Sequence, residues 1–342
     1  MKKILAIALA VMMLVSMTAC GSSSSAPETT AAPAPAETEA AAAETTAAAA
    51  TAESYVVGIC QLVQHPALDA ATEGFKDALT EKLGDQVTFQ EQNASGEPAN
   101  CTTIVNGFVS SKVDLIMANA TPALQAAQAA TADIPILGTS VTDYASALEI
   151  DNWNGTVGGN VSGTSDLAPL DQQAAMIQEL FPDAQTVGLL YCSAEANSQY
   201  QVDVITEYLT ELGMTAVPYA FTDTNDVASV ALAACECDVM YIPTDNTAAS
   251  NTEAIANVVL PEGVPVVAGE SGICGGCGVA TLSISYYDIG YATGLMAAKV
   301  LTGEANISEM PVEYAPEVTK MYNAANCEAL NITVPDDYEP ME

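Results

Sequence analysis

Val56-Val57-Gly58-Ile59-Cys60 is a short apolar run rich in β-branched residues, and Leu68, Ala71, Phe75, Leu79 and Leu83 follow it at three- and four-residue steps. The first pattern predicts a buried strand and the second an amphipathic helix. The alternation continues along the chain. Strands are predicted at 87–93, 115–120 and 134–141, with helices near 98–111 and 123–132 between them. A glycine-rich passage at 155–163 reads as an interlobe strand with turns. A helix near 169–180 then leads into a strand at 186–192, and strands near 215–221, 239–245 and 264–270 follow, again separated by helices.

Such alternation predicts a parallel sheet covered by helices on both faces. The cadence occurs twice, with strand ends at 61, 93, 120 and 141 and then at 192, 221, 245 and 270. The expected fold class is therefore α/β, as two doubly wound parallel-sheet lobes joined by crossover hinges. Lobe 1 is expected to span 55–164 and lobe 2 to span 165–278. A strand near 279–285 and a helix near 288–302 are expected to return to lobe 1 within a segment of about 279–315, and a tail of about 316–342 to rejoin lobe 2.

The N-terminus follows a different pattern. Lys2 and Lys3 precede an apolar run from Ile4 to Val15 that is too short to span a bilayer, and Thr18 and Ala19 stand before Cys20. Residues 1–19 thus read as a signal peptide, and Cys20 at the first mature position resembles the acylated cysteine of a bacterial lipoprotein. Residues 21–54 contain only Gly, Ser, Ala, Thr, Pro and Glu, too little apolar bulk for a core, so 20–54 reads as a lipid-anchored disordered tether. The expected location is the extracytoplasmic face of the cell membrane, held there by the anchor alone.

The whole chain carries 43 acids against seven basic residues, for a formal charge of −36, and all seven are lysines. That balance argues against nucleic acid or anionic lipid as a partner. Eight cysteines follow Cys20, scattered and unlike the dense framework of a small secreted domain. Cys60 and Cys192 fall in strands as small buried thiols. Cys274-Gly-Gly-Cys277 admits a local disulfide, or a zinc site that would have to recruit Cys235 and Cys237; no metal or cofactor is expected.

Ligands of open parallel sheets bind beyond the carboxyl ends of the strands. The polar residues there are Gln64, His65, Asn119, Thr121, Thr142 and Asp143 in lobe 1, Asp166 at the crossover, and Glu195, Asn197, Asp245, Asn246 and Glu270 in lobe 2. A capping or solvent role accounts for any one of them equally well; their convergence on one cleft makes them candidate ligand contacts. The chain holds a single His, at position 65, and no nucleophile–base pair or phosphate-cradling glycine motif presents itself. Nothing in the sequence supports an enzyme.

The series His65-Pro66-Ala67-Leu68-Asp69, Gln92-Asn93-Ala94, Ala120-Thr121-Pro122-Ala123, Val141-Thr142-Asp143, Gly158 to Gly163 and Ser165-Asp166 resembles one family's motif ladder, which Glu195, Asn197-Ser198 and Pro243 to Asn246 continue. That family is the ABC-transporter substrate-binding lipoproteins of the tryptophan/tyrosine-type group, with a type I periplasmic-binding-protein fold. The resemblance runs from Tyr55 to about Tyr314. It implies a monomeric two-lobed receptor that closes on a small solute and delivers it to an ABC permease, the solute being an amino acid, with aromatic ones the best-known case. Another small solute such as a nucleoside or sugar, or a sensor role with a signalling partner, stays open. The Cys274–Cys277 cluster departs from the family pattern, and aromatic residues are few, with one Trp, five Phe and thirteen Tyr.

The absence of arginine adds a constraint. With no guanidinium to clamp a carboxylate, an amino-acid ligand would rely on neutral donors at a helix start such as Thr121-Pro122, and its ammonium on Asp166, Asp245 or Glu195.

Overall fold

The computed structural model describes residues 54–315 and 317–341; the expected signal peptide, Cys20 and nearly all of the tether lie outside them. The chain order begins β1 (Tyr55–Gln61), α1 (Pro66–Leu83), β2 (Val87–Asn93), α2 (Pro98–Ser111), β3 (Leu115–Asn119), α3 (Thr121–Ala130), β4 (Ile136–Val141), α4 (Tyr144–Ala147) and β5 (Val161–Ser165). It continues through α5 (Leu170–Leu180), β6 (Thr186–Cys192), α6 (Ala196–Glu211), β7 (Thr215–Phe221), α7 (Val227–Ala234), β8 (Val239–Ile242), α8 (Asn246–Ala249), α9 (Thr252–Glu262), β9 (Val266–Ala268) and α10 (Ser271–Cys277). The last elements are β10 (Ala280–Ser283), α11 (Tyr286–Leu301), β11 (Glu313–Tyr314), β12 (Thr319–Tyr322), α12 (Ala324–Ala329) and β13 (Glu339–Pro340).

Two sheets result, in the orders β11-β5-β4-β3-β1-β2 and β13-β12-β10-β9-β8-β6-β7. The first is parallel throughout; in the second only β12 runs antiparallel to its neighbour β10. Central strands such as β3 and β8 are buried along their whole length, as expected where helices cover both faces. The outer strand β2 (VTFQEQN) is largely exposed and its polar positions blunt that sheet edge, while β7 is about half exposed.

Side chains alternate between faces along each strand, so each sheet carries two cores. Val57, Ile59, Leu115 and Met117 pack with Phe75, Leu79 and Met296 on one side of the first sheet. Cys60, Ile116 and Ala118 pack with Phe108 and Leu124 on the other. Leu189 and Tyr241, against Leu190 and Met240, divide the second sheet in the same way.

The return to lobe 1 starts later than the pattern suggested. β10 pairs with β9 and β12 inside the second sheet, so the predicted strand near 279–285 belongs to lobe 2 and the chain re-enters lobe 1 only at α11. A four-residue strand looks the same whichever sheet receives it, because only its partners decide. α11 then packs closely along α1. A Cβ on Gly290 would stand 2.0 Å from the Ala71 carbonyl oxygen, and one on Gly74 would stand 2.1 Å from that of Tyr287. Glycine on each helix lets the two backbones meet, a seam that no other residue type permits. The chain crosses between the sheets after β5, between β10 and α11, and between β11 and β12.

Candidate functional site

At the carboxyl ends of β3 and β4, where Asn119 stands opposite Thr139, two non-glycine residues have positive φ: Ala120 at 92° and Ser140 at 53°. Ala120 combines this with a ψ of 157°, a conformation rarely adopted outside glycine. Strain of this kind concentrates at functional sites, where the surrounding fold over-determines it. Here Ala120 turns the chain out of β3 into α3, and Ser140 sits where the pairing of β4 with β5 shifts register. The hydroxyls of Thr121 and Ser140 are buried and without a hydrogen-bond partner among the described residues.

Between the lobes lies a cavity of about 10 Å³, room for one water at most, lined from one side by His65, Leu68, Ser140, Asp166 and Tyr286 and from the other by Asn197, Thr244, Asp245, Asn246, Ala249 and Glu270. The lobes are thus drawn tightly together. Two grooves flank the cavity. One of about 710 Å³ runs past Tyr286 and Ala249 toward the glycine-rich face of α10; one of about 230 Å³ opens past Asn246 toward Leu62, Pro122 and Cys192.

The buried carboxylates of this region divide by what they already hold. Asp245 Oδ1 accepts from the Ala248 N–H at 2.8 Å, capping α8, and its Oδ2 accepts from the Cys192 N–H at 2.6 Å and the Ser198 hydroxyl at 2.7 Å. Glu195 Oε1 accepts from the N–H and hydroxyl of Thr247, and its Oε2 from the N–H and side-chain amide of Asn246. Glu270 caps α10, accepting from the N–H groups of Gly272 and Ile273. These three are committed to helix starts in lobe 2, the usual work of a carboxylate at an N-terminus.

Asp166 differs. Its Oδ2 accepts from the Tyr286 hydroxyl at 2.9 Å, while Oδ1 is buried and, among the described residues, meets no donor within hydrogen-bond geometry, the nearby Thr142 hydroxyl acting on the carboxyl as a whole. Burial pushes its carboxyl up to about 6, against the opposing pull of the Thr142 and Tyr286 hydroxyls. Burial likewise raises Glu270 to about 7 and raises Asp245, which also feels the charge of Glu195.

Two neutral side chains also present unused acceptors. His65 Nε2 lies 3.3 Å from Asn246 Oδ1 across the interlobe boundary. Because the Asn246 amide nitrogen donates to Glu195, Oδ1 is the acceptor and Nε2 carries the proton, an assignment made from the network. Nδ1 is then a bare lone pair, buried and unpartnered, on an imidazole that burial keeps neutral. The Asn197 amide nitrogen donates to the Thr244 carbonyl at 3.0 Å and to Glu195, leaving its Oδ1 unpartnered.

The remaining candidates stand elsewhere. Gln64 is exposed, on a separate groove along α1 with Glu73, Asp77 and Glu91. Asn119 ties β3 to α1 through the Leu68 carbonyl and the Thr72 hydroxyl, Asp143 caps α4 at the Ser146 N–H, and Thr142 supports Asp166. Sequence reasoning misses Ser140, hidden inside an apolar strand pattern, and Tyr286, which falls between the expected strand near 279–285 and the expected helix near 288–302. Cys274 and Cys277 are unbridged thiols buried in α10.

Comparison with known proteins adds independent findings. The ABC transporter substrate binding protein family matches residues 56–339. A tyrosine-binding protein of Clostridioides difficile (strain R20291) is 35% identical over 280 residues, 81% of each chain. The ABC domain from Streptococcus pneumonia in complex with L-Trp superposes with a TM-score of 0.79 at 32% identity, covering 83% of this chain and 97% of that one. The ligand-free, open structure of a substrate-binding protein with adhesive properties from Clostridium difficile is 36% identical, covering 84% and 99%, at a TM-score of 0.65.

Proposed function

The chain belongs to the ABC transporter substrate-binding proteins of the tryptophan/tyrosine type, and on that premise we propose that it is an extracytoplasmic receptor that closes its lobes on an aromatic amino acid and presents it to a membrane permease, without chemistry of its own. One observation carries the choice of ligand. Asp166 Oδ1 is a buried carboxylate oxygen with no partner, facing the interlobe cavity, and the ammonium of an amino acid is the group it lacks. Leaving such an oxygen unpaired costs several kcal/mol on the order expected for a buried charge, so a cation from solution would be drawn to it. The ligand carboxylate would meet the neutral hydroxyls of Ser140 and Thr121.

The lobes stand shut, and with about 10 Å³ between them they must part for a solute to sit there. The chain superposes better on the L-Trp complex, at 0.79, than on the ligand-free open structure, at 0.65, although its identity to the open protein is the higher of the two. Entry of a solute needs the three crossovers to flex, as in hinge closure generally. A sugar receptor would be expected to stack its ligand on tryptophan, but Trp153 packs against the core of lobe 1. The family's extracytoplasmic setting suits Cys20 as a lipid anchor, and among the described residues no helix is long and apolar enough to cross a membrane.

Calorimetry and thermal melting with L-tryptophan, L-tyrosine, nucleosides and sugars test the proposal. Stabilisation by an aromatic amino acid, about 2.7 kcal/mol at a hundredfold excess over Kd, supports it; hits confined to sugars or nucleosides would overturn the ligand while leaving the family.

A further inference from the structure

We propose that the interlobe site is a receptor for primary aromatic ammonium ions as a class, accepting amines that lack a carboxylate as well as amino acids. The inference rests on reading this cavity as the solute site and extends it from one ligand type to a broader one.

The unsatisfied side-chain atoms of the cavity are nearly all of one kind. His65 Nδ1, Asp166 Oδ1 and Asn197 Oδ1 are acceptors, each on a side chain at least nine-tenths buried, with exposures of 6%, 4% and 4%. Their donor halves are already engaged, His65 Nε2 with Asn246 and the Asn197 amide with Thr244 and Glu195. Only the Ser140 hydroxyl, among the unpartnered atoms of the lining, can donate. A primary ammonium presents three N–H donors and no acceptor, the complement of that set. A carboxylate presents only acceptors.

Charge points the same way. Asp166, Asp245 and Glu270 line the cavity, and among the described residues no lysine does. Lys76 and Lys82 pair with Glu91 and Glu81 on lobe 1, Lys320 pairs with Glu179 and Asp337 on lobe 2, and Lys112 and Lys299 lie at the ends of α2 and α11. The ammonium therefore enters against an opposite charge. A ligand carboxylate is stripped of water beside like charges, and among the side chains of the lining it meets only the Ser140 hydroxyl as a free donor. Removing the carboxylate removes that penalty along with the weak contacts that offset it.

The test is calorimetry on the full chain with L-tryptophan, L-tyrosine, tryptamine, tyramine, N,N-dimethyltryptamine and indole-3-propionate. Tryptamine or tyramine should bind within about tenfold of the parent amino acid, and indole-3-propionate at least about a hundredfold more weakly, because it leaves the buried acceptors unpaired. N,N-dimethyltryptamine, with two of three donors blocked, should fall well below tryptamine. Amines about a hundredfold or more weaker than the amino acids would overturn the inference and leave the amino-acid reading intact. Amines that bind where neither amino acid does would remove that reading and overturn the inference in its amino-acid half, leaving a receptor for amines alone. Indole-3-propionate binding as tightly as L-tryptophan would also overturn the inference. Asp166→Asn should weaken amine and amino-acid binding together by about thirtyfold or more; retained tryptamine affinity in that variant would overturn the inference.

Discussion

The Tyr286 hydroxyl donates to Asp166 Oδ2 at 2.9 Å across 120 positions of sequence, joining the first residue of α11 to the first residue beyond β5. The bond uses one carboxylate oxygen and leaves the other facing the cleft. Tyr286→Phe keeps the ring and deletes the donor, so the carboxylate loses its orientation. A hydrogen bond to a charged group contributes about 1.5–3 kcal/mol, and calorimetry should show affinity for the aromatic amino acid falling accordingly. Unchanged affinity would mean that another group aims Oδ1.

Asp166→Asn should cost on the order of 2–5 kcal/mol in binding, the range for truncating a desolvated charge pair. The ligand-free protein should be as stable as the parent or more so at pH 8, because a buried charge short of partners is gone. Asp245→Asn should behave in the opposite sense. Three donors point at Asp245, so its loss should appear in the melting temperature of the ligand-free protein. Equal effects of the two variants on both measurements would erase the distinction between a ligand-facing and a structural carboxylate.

The same carboxylates set a pH dependence with two signs. Burial raises Asp166 from 3.8 to about 6 and Glu270 from 4.5 to about 7. Groups raised in the folded state stabilise it fully below their unfolded values and lose that contribution as pH rises through the folded ones. The ligand-free protein should therefore lose stability as pH climbs from about 4 to about 7 on account of these groups. Ammonium binding needs Asp166 ionised, so affinity should drop about tenfold per pH unit below about 6. Melting curves and titrations at matched pH would reveal the opposed trends; affinity flat from pH 5 to 8 would remove Asp166 from the ammonium contact.

Gly290→Ala should destabilise lobe 1 by about 1–3 kcal/mol, the range for overpacking, since the new Cβ would lie 2.0 Å from the Ala71 oxygen. Urea unfolding would measure it. A neutral result would show that α1 and α11 slide apart freely.

Cys20→Ser should yield a protein that is unlipidated and either released or unprocessed. A processed N-terminus that still partitions into detergent would remove the anchor.

The fold was legible because strand and helix periodicities differ and the buried parallel strands read as apolar runs: predicted ends at 61, 93 and 141 coincide with those of β1, β2 and β4. β10 was misassigned because its sheet is chosen by partners such as Thr319 to Tyr322, far along the chain. In the cleft, the sequence placed Asp166, Asp245, Glu195 and Glu270 on equal footing, since each is an acid after a strand. What separates them is which N–H groups reach which oxygen, and that depends on helix starts at Asn246 and Ser271 meeting strand ends in three dimensions. Ser140 gave no signal, because its positive φ belongs to an irregularity of β4, where the pairing with β5 shifts between Gly138 and Val141.

The glycine seam between α1 and α11 also bears on the order in which the proposed site would capture a solute. His65 stands at the start of α1 and Tyr286 at the start of α11, and with the two backbones in contact these starts travel as one piece. Asp166 rides with them, its N–H bonded to the Val141 carbonyl of β4. When the lobes part, the bending must occur at the step after Ser283 and its companion crossovers, the 3.3 Å contact between His65 and Asn246 breaks, and the Tyr286–Asp166 bond survives. Two of the three acceptors therefore wait ready-made on one jaw, and the third, on Asn197, arrives only with the other. A solute should land on lobe 1 first, and the rate of capture should be set there, while the rate of escape is set by how long Asn197 stays in place.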